Sequence, residues 1–320
     1  MCQSDDGASH HLSDGNTIRT GSSINCPICN GADYWLIPFV LGPKIEQWRR
    51  EEGDEAPYEW RLCRRCANAY PSHQPHLPVL QKIWLEHKST PGLTAAELER
   101  AWTHRRTGPR TIASRSFRIF TPLAETSGRR FLDIACGFGE TVKTFADHGW
   151  DAEGIDADSS IAQVHRDMGI RVRHGQIEEI ELGVGYDVIH IAHAIYFITD
   201  PMRFLGEVRN RLVANGLFCI VLSDFFAHHQ PNLPGYAHTF FPTAASLQYA
   251  LALAGFETIR CKRVSGSFYI AARPASAPKM PLVSPARTRL LFRSKALRYT
   301  FIGRPYLASR RVAKFLVGSK

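Results

Sequence analysis

Four cysteines in two pairs, Cys26-Pro27-Ile28-Cys29 and Cys63-Arg64-Arg65-Cys66, offer soft thiolates at a spacing that lets both sulfurs of each pair reach one tetrahedral metal ion. Zinc suits that donor set. With all four positions filled by sulfur, none is left open for catalysis, so the ion would be structural. The other cysteines, Cys2, Cys136, Cys219 and Cys261, are isolated. That usage fits a reducing compartment and disfavours disulfides within the pairs. His73 and His76, in the proline-rich stretch 71–78, are further ligand candidates. Four thiolates already complete the shell, and a stiff surface connector is the better account of them. Tyr34, Trp35, Phe39, Trp48 and Trp60, between the pairs, supply a mini-core too small to stand without metal.

A second constellation begins at Arg130-Phe131-Leu132-Asp133-Ile134-Ala135-Cys136-Gly137-Phe138-Gly139-Glu140 and ends at Asp156. Phe131 to Ala135 is an apolar run suited to a buried strand, and Gly137 and Gly139 let the backbone turn tightly beneath a ligand. A helix beginning near Glu140 would present free N–H groups there. Asp156, at the end of the following strand, is placed to accept hydrogen bonds from ribose hydroxyls. A dinucleotide fingerprint is excluded, because its third glycine position holds Val142.

The elements that must position these residues follow from the pattern. Apolar strands at 131–135, 152–155, 170–173, 186–192 and 217–222 alternate with helical segments, and strands at 257–264 and 267–272 complete the sheet as an antiparallel pair. The fold class is therefore α/β, a doubly wound, seven-stranded Rossmann-like sheet. His190, within the fourth strand, reads as a satisfied core residue. His193, at that strand's end, has an imidazole able to accept a proton near neutral pH.

The element Asp133-x-x-Cys136-Gly137-x-Gly139 with Asp156 resembles motif I and the acidic motif of class I S-adenosylmethionine-dependent methyltransferases. The resemblance implies S-adenosylmethionine as cofactor, held by Asp133, Ala135, Cys136, Gly137, Gly139, Asp156 and Ala157, with Gln176 and Ile177 at the adenine. Relatives often carry Leu-Glu-His in the loop after the fourth strand, where this chain has Tyr196 and Phe197, so the acid/base pair of that loop is missing. His238-Thr239-Phe240-Phe241 followed by Ala254-Gly255-Phe256 resembles a further stretch of the family and makes His238, beside His193, a candidate catalytic base. The loop after the fifth strand commonly forms the acceptor pocket in such enzymes, and here it offers Asp224, His228, His229 and Tyr236. The two cysteine pairs resemble the N-terminal zinc-binding module of bacterial sugar methyltransferases. Ribosomal guanine methyltransferases with such a module replace one late Cys with His. The expected function is methyl transfer from S-adenosylmethionine to a small-molecule, sugar or glycan acceptor. An RNA methyltransferase and a catalytically silent cofactor-binding scaffold are the alternatives.

Composition frames these expectations. The chain has 320 residues, 44% of them hydrophobic, and no apolar run near eighteen residues. Its polar start, 1–22, reads as a disordered tail rather than a signal peptide, which points to a cytoplasmic protein. The net charge is +9, but from Ser276 onward there are eleven Lys and Arg and no acid, so the end of the chain carries the whole excess. A near-neutral enzyme with a basic appendage is indicated, and nucleic-acid binding is not favoured. The expected domains are a zinc-binding module at 23–80, a helical connector at 81–128, a methyltransferase domain at 129–275 and a basic amphipathic tail at 276–320. The connector holds a capping box, Thr94-Ala95-Ala96-Glu97, opening a helix to Arg106, with Arg110 and Arg115 near a basic run. The tail interleaves basic and apolar residues and is a candidate for peripheral contact with an anionic membrane or an acidic glycan, or for docking on the chain's own catalytic domain.

Overall fold

The computed structural model describes residues 18–20, 24–86, 96–97, 100, 103, 108, 110–177, 179–226 and 233–303. Most of the polar start, most of the helix anticipated over Ala95–Arg106, His228, His229 and the end of the basic tail lie outside those residues. The strands are β1 Ile18–Thr20, β2 Asp33–Ile37, β3 Trp60–Cys63, β4 Ala69–Pro71, β5 Arg130–Ile134, β6 Asp151–Asp156, β7 Val172–His174, β8 Tyr186–Ala192, β9 Leu212–Ser223, β10 Phe256–Val264 and β11 Ser267–Pro274. The helices are α1 Pro43–Glu51, α2 Leu77–Glu86, α3 Ile112–Phe120, α4 Glu140–Asp147, α5 Ala162–Asp167, α6 Pro201–Arg211, α7 Ala244–Leu253 and α8 Pro285–Arg298. They fall into two units, one drawn from Met1–Ile83, Asp224–Ser246 and Leu282–Lys320, the other from Trp84–Ser223 and Leu247–Pro281.

The first unit is built on an antiparallel sheet in the order β1-β2-β3-β4. β1 comes from a stretch whose polarity promises no core. Its backbone pairing with β2, Thr20 opposite Asp33, gives it structure through main-chain hydrogen bonds. Phe241 extends the other edge, donating to the Ala69 carbonyl at 2.7 Å and accepting from its N–H at 3.4 Å. Tyr236, anticipated as an acceptor-pocket residue, is instead fully buried in this unit. Its hydroxyl donates to Asp54 and accepts from the His76 N–H at 2.8 Å. Asp54 also receives Arg49 Nε at 3.0 Å and His73 Nε2 at 3.1 Å, so His73 serves a carboxylate and not the metal. The carboxylate is over-determined by these donors, and Arg49 in the shared pair holds it below its usual range against the opposing effect of burial.

Helix α8, from the basic tail, packs on β2 and β3. Ser284 caps it, Pro285 occupies its first turn, and Phe292 sits against Phe225 and Phe226. Lys295, 2% exposed, donates to the Phe225 carbonyl over that residue's own ring. Burial lowers its pKa to about 8.

The second unit contains the seven-stranded sheet in the order β10-β11-β9-β8-β5-β6-β7. β5 through β9 are parallel, and β10 and β11 join antiparallel beside β9. β8 and the second half of β9 are buried almost throughout, as central strands covered on both faces must be. β10, at the edge, exposes Arg260, Lys262 and Arg263, charges that keep an open edge from pairing with another chain. Phe131 of β5 stacks on Phe145 of α4 at 3.7 Å, and Phe145 meets Trp150 edge-on, fixing the helix over the strand it follows. The third parallel strand starts at Val172 and not Ile170, because Ile170 N–H is spent on the carbonyl of His165 at the end of α5.

Candidate active site and metal centre

Both cysteine pairs fold into the same knuckle. Asn30 N–H bonds the Cys26 carbonyl at 2.9 Å and Ala67 N–H bonds the Cys63 carbonyl at 3.1 Å, while Cys26 and Cys63 N–H reach the carbonyls of Gly31 at 3.0 Å and Asn68 at 2.9 Å. Asn30 and Ala67 take left-handed φ of 54° and 57° at equivalent places. The sulfurs face one another across the knuckles, Cys26 to Cys66 and Cys29 to Cys63 at 3.5 Å each, and all four lie within 4.8 Å. A tetrahedron with a zinc–sulfur bond of about 2.3 Å has edges of about 3.8 Å, so the set fits that ion. Arg65 N–H adds a hydrogen bond to Cys63 Sγ at 3.3 Å, an orienting contact around the donors. Four sulfurs this close cannot all be anionic by themselves. The Cys26 thiol pulls Cys63 well below the usual thiol range and Cys29 to about 7, while the neighbouring sulfurs of Cys29 and Cys26 push Cys26 and Cys66 up. A divalent cation removes that conflict.

In the second unit, β6 and β7 are added on one side of β5 and β8 and β9 on the other, so the strand order reverses between β5 and β8, a topological switch point where α/β sheets bind ligands. The turn after β5 lies there. Ala135, Gly137 and Gly139 have φ of 54°, 54° and 75°, and between them Cys136 and Phe138 are buried in the core. This alternation anchors the turn and presents backbone to the crevice. A Cβ on Gly154 of β6 would lie 2.6 Å from Cys136 Sγ, so that glycine lets the anchor in. A Cβ on Gly137 would meet nothing within 4 Å, which leaves its outer face clear. Asp156 ends β6 with its carboxylate accepting from Gly137 N–H at 2.7 Å and Asp158 N–H at 2.8 Å. Burial raises its pKa, and the two amide bonds oppose that. Gly175 N–H bonds the Asp156 carbonyl at 3.0 Å, which brings the β7 end, and half-buried Gln176 and Ile177 after it, beside the same crevice. Ala157 is exposed.

Asp133 is turned to the core. Its Oδ1 accepts from His190 Nδ1 at 2.7 Å, and His190 Nε2 meets Ser116 Oγ of α3 at 3.0 Å, all three side chains being buried. His190 is thus a satisfied core residue, as its strand position suggested. His193 follows β8 at a φ of 55°, donates its N–H to Val221 at 2.9 Å and places Nδ1 2.9 Å from Ser223 Oγ. Ser223 also hydrogen-bonds Tyr196, whose pKa burial raises. His238 belongs to the first unit. It is half-buried beside Phe241, and burial lowers its pKa to about 4.

Four residues of this arrangement escape sequence reasoning: Ser116, His165, Tyr196 and Ser223. His165 donates from Nε2 to the Gly137 carbonyl at 2.9 Å, its pKa lowered by burial, with Nδ1 3.4 Å from His174. A helix histidine has no local pattern that announces a contact 28 residues away. Tyr196 carried a signal, standing where a polar pair was expected.

The glycine turn at the switch point, an acid at the next strand end and the antiparallel β10-β11 close are those of a class I methyltransferase sheet. A family model described as "Methyltransferase domain" matches residues 101–260, half of the chain, and the protein belongs to that family. It is 31% identical over 118 residues to a ubiquinone biosynthesis O-methyltransferase of Rhodopseudomonas palustris, covering 35% of this chain and 47% of that protein. It is 29% identical over 197 residues to an uncharacterized protein of Mycobacterium tuberculosis, covering 58% and 67%. The chain spans about half the length of the curated relatives it matches first, 47% and 40%. Among solved structures it is similar to an S-adenosylmethionine-dependent methyltransferase of Mesorhizobium loti, at 17% identity and a TM-score of 0.44 over 52% of this chain and 100% of that one. Streptomyces venezuelae DesVI is similar at 14% identity and a TM-score of 0.45, covering 57% and 99%. No described helix is long and apolar enough to cross a membrane.

Proposed function

We propose that the protein transfers the methyl group of S-adenosylmethionine to a small-molecule, sugar or glycan acceptor in the cytoplasm. The observation that carries this reading is the Ala135–Gly139 turn with Asp156 held across from it by the Gly137 N–H at 2.7 Å. In this reading Gly137 gives the ligand room at the backbone, Gly139 lets the turn close against Ile170 and His165, and Asp156 receives the ribose hydroxyls. Gln176 and the Ile177 backbone take the adenine edge, with Ala135 and Ala157 completing the walls, while the Cys136 side chain anchors the turn in the core instead of lining the ligand. Asp133 acts from below, its pair with His190 setting the height of the turn. S-adenosylmethionine, when bound, supplies a methyl on a sulfonium, a good leaving group. The protein is left to align the acceptor, exclude water and remove a proton.

For that proton the geometry favours His193 over His238. With Nδ1–H donating to Ser223 Oγ, the ring is held at the strand end and its lone pair sits on Nε2. His238, at about 4, is a weak base at neutral pH. The four-cysteine zinc centre is structural and takes no part in the chemistry. The test is transfer of labelled methyl from S-adenosylmethionine into fractionated small-molecule and glycan extracts. Incorporation that is lost in His193→Ala, with cofactor binding retained, supports the reading. Incorporation into RNA alone, or cofactor binding without any transfer, would overturn it.

A further inference from the structure

Within the first unit, Arg289 on α8 carries chemistry that the preceding sections leave unused. Its guanidinium carbon lies 4.8 Å from the centre of the Trp35 ring on β2, and the guanidinium of Arg64, from the second cysteine knuckle, lies 5.0 Å from the same ring. Arg293, one turn further along α8, reaches the same side of the helix. The charges felt by Arg289 are those of Arg293 and Arg64, both positive; with burial as the larger cause, they lower its pKa.

Arg289 Nε and Nη2 are buried and have no hydrogen-bond partner among the described residues. Removing charged donors from water without a partner is costly, so the two atoms call for an acceptor. The two atoms lie on one edge of the guanidinium, where their N–H bonds run parallel, which is the fork that grips two oxygens of a carboxylate or phosphate. The ring of Trp35 holds the plane of that fork, as stacking on an aromatic face does for arginine. Arg64 and Arg293 are exposed, and both charges act on Arg289.

We propose that Arg289, Arg64, Arg293 and Trp35 form an oxyanion site for the phosphoryl group of a small phosphate ester. Three guanidiniums match a dianionic group better than the single charge of a carboxylate. The fork suits a small group, with the exposed pair drawing it in. The assignment is independent of the methyl-donor reading, because no residue of the donor crevice takes part.

Calorimetry on the full zinc-replete chain at constant ionic strength tests it, with inorganic phosphate, glycerol 3-phosphate and acetate as probes. The expected result is saturable binding of glycerol 3-phosphate at one per chain, at least as tight as inorganic phosphate and at least tenfold tighter than acetate. Arg289→Gln weakens it tenfold or more and Arg293→Gln about threefold, with zinc content and melting temperature unchanged by the latter, exposed substitution. In the absence of phosphate, Arg289→Gln melts no lower than the native protein, because it removes an uncompensated charge. No saturable phosphate binding by the native chain, equal binding by both variants, or acetate bound as tightly as phosphate would each overturn the proposal. So would tenfold tighter binding of RNA or phosphatidic acid vesicles than of glycerol 3-phosphate.

Discussion

Replacing His190 by Leu strands a carboxylate in the core. Asp133 is 2% exposed and takes its 2.7 Å hydrogen bond from His190 Nδ1, so the variant leaves its charge without that donor. Breaking a buried pair from one side costs about 3–5 kcal/mol. The Ser116 hydroxyl, 3.0 Å from Nε2, loses its partner too and adds about 1 kcal/mol. Replacing both partners, Asp133→Leu with His190→Leu, removes the buried charge altogether and should recover most of the loss, since apolar groups of similar volume serve such sites nearly as well. The assay is urea unfolding of the four proteins of that double-mutant cycle. The prediction is a His190→Leu loss of about 4 kcal/mol and a coupling of about 3 kcal/mol between the two sites. A His190→Leu loss below about 1 kcal/mol, or strict additivity of the two substitutions, would refute the buried-pair argument.

Further outcomes follow from other elements. Gly137→Ala should weaken S-adenosylmethionine binding while costing only the left-handed strain of about 1–2 kcal/mol, because its Cβ meets nothing within 4 Å. Gly139→Ala should lose more stability, its Cβ lying 3.0 Å from Ile170 Cγ2, and melting curves against cofactor titrations separate the two. Purified protein should carry one zinc per chain by metal analysis, and Cys63→Ser should lower that content and melt the first unit before the second. The folded pKa of His238 is lowered to about 4, so the unfolded chain binds its proton first on acidification. Stability from this group is full above its ordinary value near 6.5 and is lost as pH falls towards 4. Denaturation midpoints across that window should fall less steeply in His238→Gln, and an unchanged slope would remove the buried-imidazole account.

The parallel strands and the donor turn were legible because each is local. A five-residue apolar run, two glycines and an acid at the next strand end fix a short piece of backbone by themselves. The cysteine knuckles were legible for the same reason, since spacing alone brings each pair of sulfurs together. What the sequence hides is long-range. Nothing near Tyr236 announces that its hydroxyl is bound to Asp54, 182 positions away, and so it reads as a pocket residue. The basic tail reads as a surface appendage because its charges dominate its composition. The apolar residues that dock α8, Phe292 and the buried stem of Lys295, are too few to mark a face. Asp133 reads as a ligand-facing acid because motif position shows which residue stands there and not that His190 and Ser116 are waiting beneath it.

Titration of S-adenosylmethionine into native protein and Asp156→Ala tests the central claim most directly. The claim predicts binding at one per chain by the native protein. Losing the charged acceptor of the ribose hydroxyls should cost about 2–3 kcal/mol, a drop in affinity of roughly 30- to 150-fold. No binding by the native chain, or the same affinity in Asp156→Ala with its fold intact, would contradict it.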